Sequence, residues 1–167
     1  AIEIDSSLLP IIEENMEEFE NFKLIHEDIL KADLEKIVSE EFNGEEFSVV
    51  SNLPYYITTP IIEKLVTSKL PCTDMTIMVQ KEVADRMLAT EKDKEYSSLS
   101  VFVKYYSDAK KVTNVPKSVF MPQPKIDSTV LKLSLRKYTD QVDEKALFDL
   151  IHAGFNKRRK TILNSLA

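Results

Sequence analysis

Short apolar runs alternate along the chain with longer segments of helical periodicity. Residues 47–50 and 75–79 have the composition of buried strands. In residues 8–16 the apolar side chains recur at helical spacing, which predicts a helix capped by Ser6 or Ser7 that ends near Phe19. This alternation is typical of an α/β fold, in which helices cover a largely parallel sheet.

The same patterns predict the remaining elements. Strands are expected at residues 1–5, 22–25, 46–51 and 110–115, the last at a sheet edge. A final strand is expected at 129–136, where an antiparallel direction is compatible with the pattern. Helices are expected over residues 59–68, 101–106 and 143–155. Two further helices are expected, one that begins near Leu34 and one that begins at the strand-to-helix junction at 80–87.

Residues 51–60, Ser-Asn-Leu-Pro-Tyr-Tyr-Ile-Thr-Thr-Pro, follow one of the predicted strands. Thr58 or Thr59 can cap the next helix, and Pro60 suits its first turn. The Asn-Leu-Pro-Tyr segment is therefore expected at the carboxyl end of a strand, where open α/β sheets bind their ligands.

This segment suits methyl transfer to the exocyclic amine of a flat base. The Asn52 amide oxygen and the Leu53 carbonyl can accept the two amine hydrogens, and Pro54 restricts the backbone that presents them. Tyr55 offers a ring on which an extruded base can stack. A strand followed by an Asn-Pro turn is the alternative interpretation of these four residues.

A second loop, residues 116–128, contains three prolines within nine residues and is predicted to be stiff and irregular. Such a loop can hold the ring of Phe120 against a substrate, unless that ring belongs to the core. Lys117 and Lys125 lie on either side of Phe120 and are expected to meet phosphates of a nucleic acid.

The segment Asn-Leu-Pro-Tyr-Tyr-Ile-Thr-Thr-Pro resembles, nearly letter for letter, motif IV of the KsgA-type rRNA adenine N6-dimethyltransferases. The pattern Phe-x-Pro-x-Pro-x-Ile-x-Ser at 120–128 is similar to the substrate-binding motif of that family, and Gln-Lys-Glu-Val-Ala-x-Arg at 80–86 is similar to a third family segment. The resemblance implies a Rossmann-like fold that binds S-adenosylmethionine, with sheet order 3-2-1-4-5-7-6.

The resemblance also implies roles for single residues. The target adenine is expected between Tyr55 and Phe120. The ribose of S-adenosylmethionine is expected on Glu3 and its adenine beside Asp28 and Ile29, while Asn52 and Pro54 also border the cofactor. Alternatively, Glu3 is an ordinary acidic residue at the end of a strand, and Asp28 is a loop residue that caps the next helix. The terminal segment Lys157, Arg158, Arg159 and Lys160 is similar to a region of the family that contacts rRNA.

Charge is distributed unevenly, although the net charge is −6. Residues 1–50 hold 15 acidic and 3 basic side chains, whereas residues 104–137 hold 8 basic and 2 acidic ones. This distribution predicts one surface that faces phosphates.

The single cysteine, Cys72, allows no intrachain disulfide and fits a reducing cytoplasm. Neither histidine has a companion at ligand spacing, so we predict no metal, and no apolar run is long enough to predict a membrane span.

The implied activity is dimethylation of two adjacent adenosines near the 3′ end of small-subunit rRNA, on the immature small ribosomal subunit. The related Erm-type enzymes, which methylate large-subunit rRNA, are one alternative, although residues 56–60 look KsgA-like. A non-catalytic ribosome-assembly factor is a second alternative. DNA adenine methylation is a third and weaker one, because such enzymes usually have an acidic residue where Asn52 stands.

The chain departs from the family pattern at both ends. The family's first strand and its glycine-rich Glu-x-Gly-x-Gly loop have no counterpart, since the only glycines are Gly44 and Gly154. We therefore expect an inactive fragment with a partial methyltransferase domain at 1–137, and a linker with the start of a helical rRNA-contacting domain at 138–167. The parent protein is expected to be a monomer. Unpaired strand edges are expected to make the fragment rearrange, self-associate or lose stability.

Overall fold

The computed structural model describes residues 1–137 and 142–156, which divide into two compact units. The first unit comprises residues 1–45 and 59–70, and the second comprises residues 46–58 and the described residues from 71 onward. Strands are β1 Ile2–Glu3, β2 Ile25–His26, β3 Phe47–Asn52, β4 Cys72–Gln80, β5 Ser107–Val115 and β6 Ser128–Leu135. Helices are α1 Leu9–Met16, α2 Leu34–Phe42, α3 Thr58–Thr67, α4 Lys81–Leu88, α5 Ser98–Tyr106 and α6 Glu144–Asn156.

The first unit contains a two-stranded parallel sheet in which Glu3 pairs with His26. Asp33 begins α2, because its carboxylate accepts a hydrogen bond from the N–H of Lys36 over 3.0 Å. The helix ends at Asn43, whose positive φ of 51° is the left-handed conformation common at helix C-termini. α2 thus begins where its apolar periodicity predicts.

The second unit is organised around a four-stranded sheet of order β3-β4-β6-β5. β3 runs parallel to β4, and β6 is inserted antiparallel between β4 and β5. The predicted antiparallel direction of the final strand and the predicted edge position of β5 are both confirmed. The strand orders of the two sheets also agree with the expected methyltransferase order once its first strand is left out.

The core of the second unit lies on one face of β4 and β6. Met75, Ile77 and Val79 alternate along β4 and are fully buried, as are Leu131 and Leu133 on β6. The residues between them are more exposed, so the strands show the period of two that a half-covered sheet requires. Burying one such side chain contributes about 1.5–3 kcal/mol to folding.

The helix α6 packs on α5 through aromatic rings. The ring of Phe148 stacks on Tyr106 with centroids 5.6 Å apart, and it contacts Phe102 at 5.3 Å. Burial raises the pKa of the Tyr106 phenol, and a hydrogen bond to Glu144 raises it further.

Several predicted elements are wrong in detail. Residues 47–50 do not form a buried strand, because β3 lies at the edge of its sheet and Val50 is 84% exposed. The strand predicted at 22–25 is shorter and displaced to β2. α1 begins at Leu9 without a serine cap, since the Ser7 hydroxyl instead donates to Asp5 over 2.6 Å.

No helix within residues 1–137 and 142–156 is long and apolar enough to cross a membrane. The predicted domain boundary between 137 and 138 adjoins residues outside the described ranges and stays a prediction.

Candidate active site

The Asn-Leu-Pro-Tyr segment leaves the carboxyl end of β3 and is anchored at its first residues. Asn52 pairs with Met78 in the β3–β4 ladder, and the N–H of Leu53 donates to the Met78 carbonyl over 3.2 Å. The Leu53 side chain is only 3% exposed. The ladder therefore continues into the loop and fixes the Leu53 peptide.

The turn that follows is closed by Thr58. Its hydroxyl donates to the Pro54 carbonyl over 3.0 Å, and the N–H of Ile57 donates to the same carbonyl over 3.2 Å. Thr58 is thus the first residue of α3 and not its predicted cap, because its hydroxyl acts as a donor. Pro60 lies in the first turn, as predicted.

Two polar groups in this segment have no protein partner in the part of the chain that the structure describes: the side-chain amide of Asn52 and the carbonyl of Leu53. Asn52 is exposed at the end of its strand. An amide oxygen and a carbonyl beside it are hydrogen-bond acceptors, as an amine with two hydrogens would require.

The ring of Tyr55 is half-buried, and its hydroxyl lies 2.7 Å from the hydroxyl of Ser128. Ser128 is fully buried at the beginning of β6, where it pairs with Gln80. Since β6 runs antiparallel to β4, its first residue lies at the same sheet edge as the carboxyl ends of β3 and β4. The neighbouring Tyr56 is 84% exposed.

The proline-rich loop begins with a single turn of 3₁₀ helix, Lys117–Val119, and is otherwise irregular, as predicted. The N–H of Phe120 donates to the Lys117 carbonyl over 3.3 Å, and the N–H of Lys117 donates to the Asp127 carboxylate over 2.9 Å. The ring of Phe120 is half-buried, so it is neither a fully buried core ring nor a free surface ring. Tyr55 and Phe120 both belong to the second unit.

An open cleft of about 370 Å³ lies between the proline-rich loop and the start of α4. Three lysines line it, Lys81, Lys117 and Lys125, together with carboxylates that include Asp85. At the start of α4 the Lys81 amine lies 2.6 Å from the Asp85 carboxylate, and this hydrogen bond raises the pKa of the amine. Lys117 and Lys125 thus lie along one cleft. Lys157, Arg158, Arg159 and Lys160 lie outside the described residues.

The residues predicted to bind the cofactor lie in the first unit. Glu3 ends β1, and Asp28 follows the end of the neighbouring parallel strand β2, so both lie at the carboxyl edge of that sheet. One Glu3 oxygen accepts from the N–H of Asp5 over 2.8 Å, and one Asp28 oxygen accepts from the N–H of Leu30 over 2.9 Å. Both carboxylates are half-buried, and the second oxygen of Asp28 lies 3.9 Å from the amine of the exposed Lys31. Their position and chemistry fit a nucleoside with two ribose hydroxyls and an amine.

The sequence reasoning missed two residues that hold this site together, Asp127 and Ser128, and it gave Thr58 a different role, that of a helix cap. Ser128 is the last residue of the Phe-x-Pro-x-Pro-x-Ile-x-Ser pattern, and this pattern could have drawn attention to it. Nothing in the sequence indicated that Ser128 contacts Tyr55, because the two residues lie 73 positions apart along the chain. Within the described residues, no group of three or more His, Cys, Asp or Glu side chains could hold a metal ion.

A family model described as ribosomal RNA adenine dimethylase matches residues 1–167. Among curated proteins, ribosomal RNA small subunit methyltransferase A of Oceanobacillus iheyensis is 53% identical over 99% of the chain and 58% of its own length. The protein of that name from Alkaliphilus oremlandii is 48% identical over all of the chain and 59% of its own length. The chain therefore spans about three fifths of the length of these relatives.

Solved structures are similar over the same extent. A dimethyladenosine transferase from Plasmodium falciparum has a TM-score of 0.82 and 29% identity, covering 99% of the chain and 57% of its own. The 23S rRNA methyltransferase ErmE has a TM-score of 0.74 at 23% identity and covers 99% of the chain and 64% of its own, a likeness of fold alone. The α/β methyltransferase fold is thereby established, with a mixed sheet.

Proposed function

The chain belongs to the ribosomal RNA adenine dimethylase family, and from this premise we propose that it forms part of an enzyme that transfers methyl groups to the N6 amine of adenosine in rRNA. The observation that supports this most directly is the pair of unpartnered acceptors, the Asn52 amide and the Leu53 carbonyl, beside the ring of Tyr55.

The chemistry demands positioning more than strong acid or base groups. The lone pair of the N6 amine is delocalised into the adenine ring, so the amine is a weak nucleophile. Two hydrogen bonds, to the Asn52 amide oxygen and the Leu53 carbonyl, would orient the amine and fix its lone pair towards the methyl donor. Holding the reacting atoms in this geometry can provide much of the rate enhancement. The amine loses a proton readily after alkylation, so no dedicated base is required.

The base itself would stack between Tyr55 and Phe120. Stacking of a base on an aromatic ring is worth about 1–3 kcal/mol, which helps to offset the cost of extruding the adenine. Neither residue is fully buried, which is compatible with a base lying against each ring. Pro54 places the Tyr55 ring directly after the acceptor groups.

S-adenosylmethionine would supply the methyl group as a sulfonium. Glu3 would accept hydrogen bonds from the ribose hydroxyls and Asp28 from the adenine amine, with Ile29 beside the adenine ring and Asn52 and Pro54 at the border with the substrate. The position of both carboxylates at the carboxyl edge of the β1–β2 sheet supports this assignment. The described residues contain no glycine-rich loop for the methionine half, since Gly44 follows a helix end and Gly154 lies within α6.

The names of the relatives support small-subunit rRNA as the substrate. We infer that two adjacent adenosines near its 3′ end are dimethylated on the immature small subunit in the cytoplasm, by a protein that acts as a monomer. Lys117 and Lys125, and residues 157–160 outside the described ranges, would bind RNA phosphates. The Erm-type specificity for large-subunit rRNA, which the sequence also left open, is the second candidate.

Methyl transfer by a full-length protein that contains this chain tests the proposal. We expect tritiated methyl groups from S-adenosylmethionine to enter small-subunit rRNA, with primer extension stopping at two adjacent adenosines. Large-subunit rRNA and adenine-containing DNA serve as matched substrates and should remain unlabelled. Labelling of large-subunit rRNA would favour the Erm-type alternative, and RNA binding without any labelling would favour a non-catalytic assembly factor.

A further inference from the structure

Asp127 and Ser128 are consecutive residues whose side chains reach two different loops. The Ser128 hydroxyl lies 2.7 Å from the hydroxyl of Tyr55, in the segment after β3. The Asp127 carboxylate accepts a hydrogen bond from the N–H of Lys117 over 2.9 Å, at the start of the proline-rich loop. Two neighbouring side chains thus hold two segments that are far apart in sequence.

Each of these contacts leads to one ring of the base-binding pair. Ser128 bonds the Tyr55 ring directly through its hydroxyl. Asp127 acts through Lys117, whose carbonyl accepts the N–H of Phe120 over 3.3 Å and so closes the turn from which that ring projects.

The backbone that bears the two side chains is itself held on several sides. Ser128 is paired with Gln80 on one neighbouring strand and with Val115 on the other. The carbonyl of Asp127 accepts the N–H of Lys81, at the beginning of α4, over 3.0 Å. A position fixed by two ladders and a helix start is a rigid support for a site.

We propose that Asp127 and Ser128 are positioning residues that set the separation and mutual orientation of the Tyr55 and Phe120 rings, and hence the width of the slot for the target base. This inference rests on the proposed function, because it assigns the two rings to one flat substrate. Neither side chain acts on the base itself. The Ser128 hydroxyl is hydrogen-bonded to Tyr55, and the Asp127 carboxylate is hydrogen-bonded to the N–H of Lys117. The slot accepts a single purine only while both supports are in place.

Removal of either support should lower kcat more than it raises KM. Loss of a hydrogen bond of this kind corresponds to about a three- to tenfold change in rate, because the rings then sample orientations that do not present the amine. KM for a long RNA depends largely on phosphate contacts along the basic surface, which these two residues do not make.

The experiment compares truncating and conservative substitutions in a full-length protein that contains this chain. Ser128→Ala and Asp127→Ala should lower kcat about three- to tenfold. Ser128→Thr keeps a hydroxyl and Asp127→Asn keeps an acceptor oxygen, so both should recover most of the lost rate. Ser134→Ala, on the exposed face of the same strand, is the matched control and should retain the wild-type kcat.

A double-substitution cycle isolates the contact between the two hydroxyls. Tyr55→Phe removes one hydroxyl and Ser128→Ala removes the other, so the double variant should be no slower than the slower single variant. Fully multiplicative losses would overturn the proposal, as would a wild-type kcat in both Ser128→Ala and Asp127→Ala.

Fluorescence of an RNA with 2-aminopurine at the target position reports the slot without any methyl transfer. Wild-type protein should quench the probe by stacking, and Ser128→Ala and Asp127→Ala should quench it less at equal RNA occupancy. If the wild-type protein methylates no RNA, the proposed function fails, and this fluorescence comparison decides on the positioning residues independently. Equal quenching by all variants would overturn the inference while leaving the proposed function intact.

Discussion

The N–H of Leu53 donates to the carbonyl of Met78 over 3.2 Å and continues the β3–β4 ladder by one residue into the Asn-Leu-Pro-Tyr loop. The loop therefore begins as an extension of a rigid sheet. This relationship explains how an irregular segment can present the amide of Asn52 and the carbonyl of Leu53 in fixed positions.

Leu53→Ala should destabilise the protein and slow methyl transfer. The side chain is 3% exposed, so truncation removes buried contacts and leaves a cavity, which typically costs about 2–5 kcal/mol. Leu53→Met preserves volume and should cost less than about 1.5 kcal/mol. Urea denaturation of the two variants measures the difference, and equal midpoints for wild type and Leu53→Ala would contradict the assignment of this side chain to the core.

Phe120→Ala should lower kcat/KM for RNA by about 5- to 150-fold, since the stacking surface on one side of the base is lost. Single-turnover methylation of a short RNA hairpin measures this change directly. The matched control is Val119→Ala, at an adjacent side chain that is 64% exposed, and it should remain within about twofold of wild type. A Phe120→Ala enzyme as fast as the control would exclude Phe120 from the base slot.

Removing the charge of Lys117 or of Lys125 should reduce the salt dependence of RNA binding. A lysine that neutralises one phosphate contributes about one unit to the slope of log K against log salt. Lys117→Gln and Lys125→Gln should lower that slope by about one unit each. Lys92→Gln, in the exposed loop before α5, is the control, and a slope change as large as that of the test variants would show that the effect is not local to the cleft.

Tyr106 should make the protein lose stability in alkali. In the folded protein, burial and, to a smaller extent, the hydrogen bond to Glu144 raise the pKa of this phenol above its ordinary value of 10.0. Below pH 10 the phenol is protonated in both states and its contribution is constant. Above pH 10 only the unfolded state releases the proton, so the free energy of unfolding falls, by at most about 1.4 kcal/mol per pH unit.

Tyr106→Phe should therefore flatten the curve of unfolding free energy against pH above pH 10, as measured by urea denaturation at several pH values. Tyr56→Phe, at an exposed ring, is the control and should retain the wild-type curve. A wild-type slope in Tyr106→Phe would show that the phenol stays accessible to water in the folded protein.

The sequence predicted those features that depend on local pattern. The order of elements, the irregular loop around Phe120 and the placement of Asn52 at a strand end all follow from periodicity and turn residues. The apolar run at 47–50 wrongly predicted a buried β3, whereas the expected sheet order without its first strand correctly leaves β3 at an edge of its sheet. The contact between Tyr55 and Ser128 could not be predicted, because the expected strand order places β6 beside β4 but does not fix the register that pairs Ser128 with Gln80.

Mass-spectrometric counting of dimethyladenosine in small-subunit rRNA tests the central claim most directly. A full-length protein that contains this chain should produce N6,N6-dimethyladenosine at two adjacent positions. Asn52→Ala should lower the rate about 10²- to 10³-fold at unchanged RNA affinity, because it removes a hydrogen-bond acceptor aimed at the reacting amine. Val112→Ala, on the edge strand β5 at a side chain that is 59% exposed, should behave as wild type. A wild-type rate in Asn52→Ala, or methyl groups at an atom other than N6, would contradict the account.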